Sequence, residues 1–274
     1  MKLFISNCLL IVSSILSAEA NIITLRFNPC DGMTRSDISY LSFDFEPVGI
    51  LVLCLGYNSD AKHLLENETW IDFSKKNKLI LIALSFASKM EDLKNGNGYY
   101  YASKGSGKIL LQAIEKAYKR KVPIYIYGFS GGAHFASRFV EWAPNRVGAW
   151  CAYSAGWWDS ISYKKDKLPI GIVACGDKDE RFDASISYFK NGRMNDRQWT
   201  WIALKNTNHA LSRKLDDFVK IYFEAIINDD LDPCWVNNTT AKTKKIINGN
   251  KDSNYSYLPS SKLLSEWRNL SYGE

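Results

Sequence analysis

A chain of 274 residues, 46% hydrophobic and 23% charged, can bury a core of ordinary size, which excludes wholesale disorder. Its formal net charge of +6 is scattered along the chain and not massed with aromatic residues on one motif, which argues against a nucleic-acid partner. One large α/β domain accommodates this length, and nothing forces two.

The N-terminus starts with Met1-Lys2, runs apolar over residues 3–16 and reaches the small-x-small site Ala18-Glu19-Ala20. That pattern predicts a signal peptide over residues 1–20 and a secreted or periplasmic protein. The apolar run is shorter than the roughly 20 residues that span a bilayer, so no stable membrane anchor is expected after cleavage.

Two short strands are predicted over residues 21–27 and 38–45, with a turn at Cys30-Asp31-Gly32 between them. Residues 49–55 form a continuous apolar run, as a strand buried on both faces requires. A helix follows over 64–76, a buried strand over 79–84 and a break at Asn95-Gly96-Asn97-Gly98. Ile109, Leu110, Ala113, Ile114 and Ala117 then recur at helical intervals within 107–121. Strands at 122–127, 147–153, 170–175 and 198–204 alternate with helices at 131–142, 183–194 and 211–227. This alternation is the pattern of an α/β domain over residues 21–230. Residues 231–274 read as a polar tail. Its stretch 242–257 lacks a hydrophobic period and reads as a loose linker, while Leu263, Leu264, Trp267 and Leu270 return at helical spacing and can dock on the domain.

Six cysteines occur, and Cys8 falls in the leader. Cys54, Cys151 and Cys175 lie in apolar strand-like runs and read as buried thiols. Cys30 and Cys234 lie in polar, turn-like contexts, where an exported protein can join them in a disulfide. No spacing suits a metal, so none is expected. Asn-x-Ser/Thr sequons occur at Asn67, Asn237, Asn238, Asn254 and Asn269.

The strongest motif is Gly128-Phe129-Ser130-Gly131-Gly132, which follows a buried strand and opens a helix. That is the setting of a nucleophile elbow, in which a serine sits on a strained strand-to-helix turn and the small residues around it avoid clashes. The Gly131 N–H lies at the helix N-terminus, where free donors can hold an oxyanion. The plainer alternative is a glycine-rich turn that packs tightly or binds phosphate. A serine nucleophile needs a base. His134 lies one turn along the helix and reads as structural; His63 starts a helix and reads as a surface residue. His209 lies in a loop after the last strand, at the strand ends where open parallel sheets bind ligands. An acid must orient the imidazole, and Asp177, Asp179, Glu180 and Asp183 compete in or near one strand-end loop.

On these motifs, residues 49–227 resemble the α/β-hydrolase superfamily, and within it secreted single-domain esterases of the dienelactone-hydrolase, polyhydroxybutyrate-depolymerase and feruloyl-esterase kind. The resemblance implies an α/β-hydrolase fold, with a mostly parallel twisted sheet of about eight strands and helices on both faces. It implies a Ser-His-Asp triad in which the acid of a Gly-x-x-Asp turn falls on Asp179, ahead of Asp177, and the histidine on His209. The sequence departs from the pattern with Asn208-His209 in place of Gly-His, and with Leu55-Gly56-Tyr57-Asn58 where the first oxyanion loop often reads His-Gly. The strand-end position still matches, which makes the Tyr57 N–H the second oxyanion donor beside Gly131.

Aromatic residues cluster beyond strand ends, in Tyr99-Tyr100-Tyr101 and Trp157-Trp158. Tyr99, Trp157 and Trp158 are candidates for the substrate pocket, shaped by loops 85–104 and 155–167; the plainer alternative is loop packing. The function expected is a secreted serine esterase acting through an acyl-enzyme on a small-molecule or polymer-linked ester, polysaccharide-linked or aromatic esters included, with no cofactor. A peptidase of the same fold and a non-catalytic carbohydrate-binding relative are the competing readings.

Overall fold

The computed structural model describes residues 21–161, 168–245 and 252–273. The expected leader at 1–20 and part of the 155–167 loop lie outside the described residues. In chain order the elements are β1 (Ile23–Arg26), β2 (Met33–Leu41), β3 (Gly49–Cys54), α1 (Glu68–Lys76), β4 (Leu79–Ser88), α2 (Met90–Lys94), α3 (Ser106–Ala117), β5 (Ile124–Phe129), α4 (Gly131–Trp142), β6 (Val147–Tyr153) and β7 (Ile170–Gly176). They continue with α5 (Phe182–Met194), β8 (Trp199–Leu204), α6 (Arg213–Ile227), β9 (Cys234–Asn237), β10 (Thr243–Lys244), β11 (Tyr255–Leu258) and α7 (Leu264–Tyr272).

Eight strands build the main sheet in the order β1-β2-β4-β3-β5-β6-β7-β8. From β3 to β8 every pairing is parallel, while β1 and β2 join antiparallel at one edge. This is the mostly parallel eight-stranded sheet expected. Its core strands are long apolar runs because both faces are covered. Ile50 and Val52 pack with α3, α4 and α5 on one face. Leu51 and Leu53, their alternates, pack with α1, α6 and α7 on the other. The chain leaves β3 for β4 on one side and returns to β5 on the other. The carboxyl ends of β3 and β5 therefore flank a switch point, where a crevice opens above the sheet. No helix among the described residues is long and apolar enough to cross a membrane.

Three expectations need correction. The second strand spans Met33–Leu41, earlier than 38–45, because its first half alternates buried and exposed residues and shows no apolar run. Cys30 and Cys234 are both free thiols. Cys30 packs on the α3–α4 face of the sheet and Cys234 on the α6–α7 face, so the sheet stands between them. The stretch 242–257 is not a loose linker throughout, since β9 pairs with both β10 and β11. Tyr255 and Tyr257 bury one face of β11 against Trp235, while Leu258 is fully buried with α6 and α7.

The C-terminal segment also closes the β8 edge. The outward-facing N–H of Trp201 donates to Ser256 Oγ at 2.7 Å, and the Trp201 carbonyl accepts from Trp267 Nε1 at 2.8 Å. An uncovered edge would offer these groups to another chain.

Candidate active site

Ser130 leaves β5 with φ 52° and ψ −112°, a backbone conformation that costs a non-glycine residue about 1–3 kcal/mol. Two glycines permit the turn. A Cβ on Gly128 would lie 2.2 Å from the Gly132 carbonyl oxygen, and one on Gly132 would lie 2.1 Å from the Cys54 carbonyl oxygen. The Ser130 N–H donates to the Tyr153 carbonyl at 2.8 Å, which ties the turn to β6. The hydroxyl is thereby lifted into the crevice.

His209 sits in the loop after β8. Its Nε2 lies 2.9 Å from Ser130 Oγ, and its Nδ1 lies 2.8 Å from Asp179 Oδ2. The Phe129 ring stacks on the imidazole with centroids 4.9 Å apart. Tyr153 donates its hydroxyl to the Ala210 carbonyl at 2.6 Å and fixes the loop from below. Asp179 follows β7 and is 5% exposed. Its Oδ1 accepts the backbone N–H and a guanidinium N–H of Arg181, each at 3.1 Å. Burial alone would raise its pKa, but the hydrogen bonds from His209, the Arg181 backbone, the Ser154 hydroxyl and the Arg181 side chain outweigh it and hold the carboxyl below its usual value. The acid is thus ionised beside the imidazole, the arrangement that favours a proton on Nδ1 and leaves Nε2 to accept from the Ser130 hydroxyl.

Asp177 serves the loop instead. Its Oδ1 accepts the Thr207 N–H at 3.2 Å, and the Lys178 N–H reaches the Thr207 carbonyl at 3.0 Å. Glu180 is on the surface, paired with Arg181 at 2.9 Å, and Asp183 lies in the first turn of α5.

Beside Ser130, the loop after β3 brings the Tyr57 backbone nitrogen against α4: a Cβ on Gly131 would lie 2.7 Å from it. As the first residue of α4, Gly131 has no helical carbonyl for its N–H. The neighbouring Asn58 N–H is engaged by the Tyr99 hydroxyl at 3.3 Å, so Tyr57 rather than Asn58 has its amide to offer.

The other histidines are placed elsewhere. The His134 ring is stacked on Tyr100 at 4.3 Å and packs on Trp157 at 4.2 Å, and its Nε2 accepts the Gly156 N–H at 2.9 Å. Burial, with Arg138 and Arg181 nearby, pushes its pKa well down, so it stays neutral. His63 is exposed on a short 3-10 turn, with Nδ1 2.9 Å from the Asp60 carbonyl.

The aromatic residues depart from expectation. Tyr99 presents no ring face to the crevice: it is 3% exposed and packs edge-on against Phe86 and Tyr100. Trp157 is half-buried against Tyr100 and His134. Trp158 stacks on Tyr188 of α5 with centroids 4.2 Å apart. Their faces are largely taken by protein: Trp157 packs on His134 of α4, Trp158 on Tyr188 of α5, and Tyr99 on Phe86 and Tyr100.

No family model matches the sequence, and no curated protein matches it significantly. Solved structures do match. An S-formylglutathione hydrolase from Agrobacterium tumefaciens aligns at a TM-score of 0.58 and 12% identity, over 76% of this chain and 94% of that one. LpqC, a poly(3-hydroxybutyrate) depolymerase from Bordetella parapertussis, aligns at 0.55 and 13%, over 77% and 89%. A hyperthermophilic esterase from Pyrobaculum calidifontis aligns at 0.56 and 10%, over 77% and 86%. The chain has the α/β-hydrolase fold.

Within that α/β-hydrolase fold, several residues around the site escaped the sequence reading. Arg35 on β2 donates to the carbonyls of Ser85, Asn58 and Ser59 at 2.9, 2.8 and 2.9 Å. Ser88 at the end of β4 exchanges bonds with Asn58, its N–H meeting Oδ1 at 2.9 Å and its carbonyl meeting Nδ2 at 3.0 Å. Together they stitch the Tyr57 loop to β4 of the α/β-hydrolase sheet. The available signal was polar residues within or ending strands. Ser154 carries no comparable pattern, and only the fold brings it to Asp179; Arg181 reaches the acid from two residues along the same loop.

Proposed function

We propose that this chain is a serine hydrolase that cleaves carboxylic esters through an acyl-enzyme. The observation that carries the reading is the hydrogen-bonded series from Ser130 Oγ to His209 to Asp179, at 2.9 and 2.8 Å. Ser130 Oγ attacks the ester carbonyl carbon as His209 Nε2 takes the hydroxyl proton. Asp179 accepts the Nδ1–H and stabilises the imidazolium that forms. The Tyr57 and Gly131 N–H groups receive the oxyanion. Collapse of the tetrahedral species breaks the bond to the alkoxy oxygen, which leaves as the alcohol with the proton from His209. Water repeats the sequence on the acyl-Ser130 bond and releases the acid.

The esterases and hydrolases among the structural neighbours support the same reaction class. The apolar stretch and small-x-small site before residue 21 support export. The test is direct. Purified protein should take up a fluorophosphonate probe and hydrolyse p-nitrophenyl esters, and Ser130→Ala should abolish both. Labelling that persists in Ser130→Ala sinks the assignment.

A further inference from the structure

We propose that Tyr99 is a positioning residue, whose hydroxyl sets the spacing between the two backbone donors that receive the oxyanion. The inference rests on the esterase reading above and goes beyond it, since the nucleophile, base and acid are all elsewhere.

Tyr99 is held at every point. Its N–H donates to Ser88 Oγ at 3.0 Å, and its carbonyl accepts from Ser106 Oγ at 2.9 Å. Its ring is wedged against Phe86 and Tyr100, with centroids 6.3 and 4.7 Å away. The hydroxyl then lands where two elements meet. On one side it accepts the Asn58 N–H at 3.3 Å, one residue beyond the donor Tyr57. On the other it touches α4, since a Cβ on Gly131 would lie 2.6 Å from it and 2.7 Å from the Tyr57 nitrogen. One oxygen atom therefore bears on both donor-carrying segments. Burial keeps the group protonated, so it acts as a fixed neutral spacer.

Other bonds hold this loop toward β2 and β4: Arg35 takes the Asn58 and Ser59 carbonyls, the Asn58 side chain meets Ser88, and the Tyr57 hydroxyl donates to the Ser88 carbonyl at 3.0 Å. The Tyr99 hydroxyl is the side-chain group placed between the loop and α4. Removing the Tyr99 hydroxyl would leave the Asn58 N–H without its partner and a void between loop and helix. A donor displaced by a fraction of an ångström binds the transition state less well while ground-state binding barely changes.

The experiment compares Tyr99→Phe with wild type on p-nitrophenyl acetate. The expected result is a fall in kcat and in kcat/KM of about 10- to 30-fold, with KM within about twofold. The affinity of a boronic acid, which forms a tetrahedral adduct on serine, should fall by a similar factor. The acid limb of the pH profile should not move, because His209 and Asp179 are untouched. Tyr118→Phe, which removes an exposed hydroxyl paired with Glu46, is the control and should match wild type. Should Tyr99→Phe fail to fold, trifluorotyrosine at position 99 keeps the shape but weakens the acceptor, and a smaller loss in kcat is then expected.

An active wild type whose Tyr99→Phe or fluorotyrosine form keeps kcat within about twofold overturns the inference alone. A loss of thermal stability with unchanged kcat does the same, since it assigns Tyr99 to packing. A wild type that neither labels at Ser130 nor turns over any ester overturns the esterase reading and this inference with it.

Discussion

Asp177 holds the Thr207 N–H through Oδ1 at 3.2 Å, while Asp179, two residues on, meets His209 at 2.8 Å. The two carboxylates are neighbours in sequence with separate tasks. Asp179→Asn should leave the fold intact and lower kcat about 10³- to 10⁴-fold, because the amide no longer stabilises the imidazolium. Asp177→Ala should keep kcat within about tenfold and lower the melting temperature, since one loop hydrogen bond is worth about 1 kcal/mol. Steady-state kinetics beside a thermal melt reads both, and the reverse pattern would exchange the roles.

The elbow glycines differ in kind from the loop glycines. Gly132→Ala would place a methyl group 2.1 Å from the Cys54 carbonyl oxygen, and neither backbone can yield. Soluble expression should be lost, with a destabilisation above about 3 kcal/mol. Gly96 has φ 78° but open space around it. Gly96→Ala should cost only about 1 kcal/mol, through strain alone. The soluble yield checks the first, and a thermal melt of the soluble protein checks the second.

Asp216, in the first turn of α6, is pushed up to about 6 by burial, with Tyr127 and Lys220 partly opposing the shift and Asp217 adding to it. In the unfolded chain it titrates near 4. Between those values the folded state holds a proton that the unfolded state has released, so this group's contribution falls as pH rises from about 4 to about 6 and is flat above. Asp216→Asn should therefore be more stable than wild type at pH 8, on the order of 2 kcal/mol, and lose that advantage at pH 4. Urea melts at the two pH values measure it; an advantage that is the same at both would assign the effect to packing.

Trp267 is fully buried, and its Nε1 donates to the Trp201 carbonyl. Trp267→Ala should cost about 3–5 kcal/mol and uncover part of the β8 edge. Light scattering during refolding should then rise more steeply with protein concentration than for wild type. Unchanged scattering would mean that Ser256 and its neighbours protect the edge without it.

Much of this architecture was legible because burial on both faces writes continuous apolar runs. β3, β4 and β7 announce themselves in that way, and the glycines around Ser130 mark a turn that only small residues permit. His209 was legible from its place after the last parallel strand. The choice between Asp177 and Asp179 rested on the resemblance and was not legible in the residues themselves, since both follow β7 in a loop with the same chemistry; the contacts to Thr207 and His209 separate them. Tyr99 misled because three consecutive tyrosines carry no period that says which ring turns inward. β11 was hidden by its own composition: Tyr255-Ser256-Tyr257 makes a strand by pairing with β9, on the far side of an unpatterned stretch. The cysteine pairing failed for a topological reason, as sequence context does not reveal the side of a sheet on which a turn lands.

The 66 residues that separate Trp201 from Trp267 also set a clock. Strand β8 is synthesised long before the indole that occupies its outer carbonyl. At roughly 5–20 residues per second, about 3–13 s pass between the two. During that interval a nascent chain carries a nearly complete sheet with one side open. The groups that meet at Ser130, Asp179 and His209 all lie at or before Ala210, so the site can form while the domain is still vulnerable to its neighbours on the same message. A message that carries fewer ribosomes should therefore give a higher folded yield of this chain.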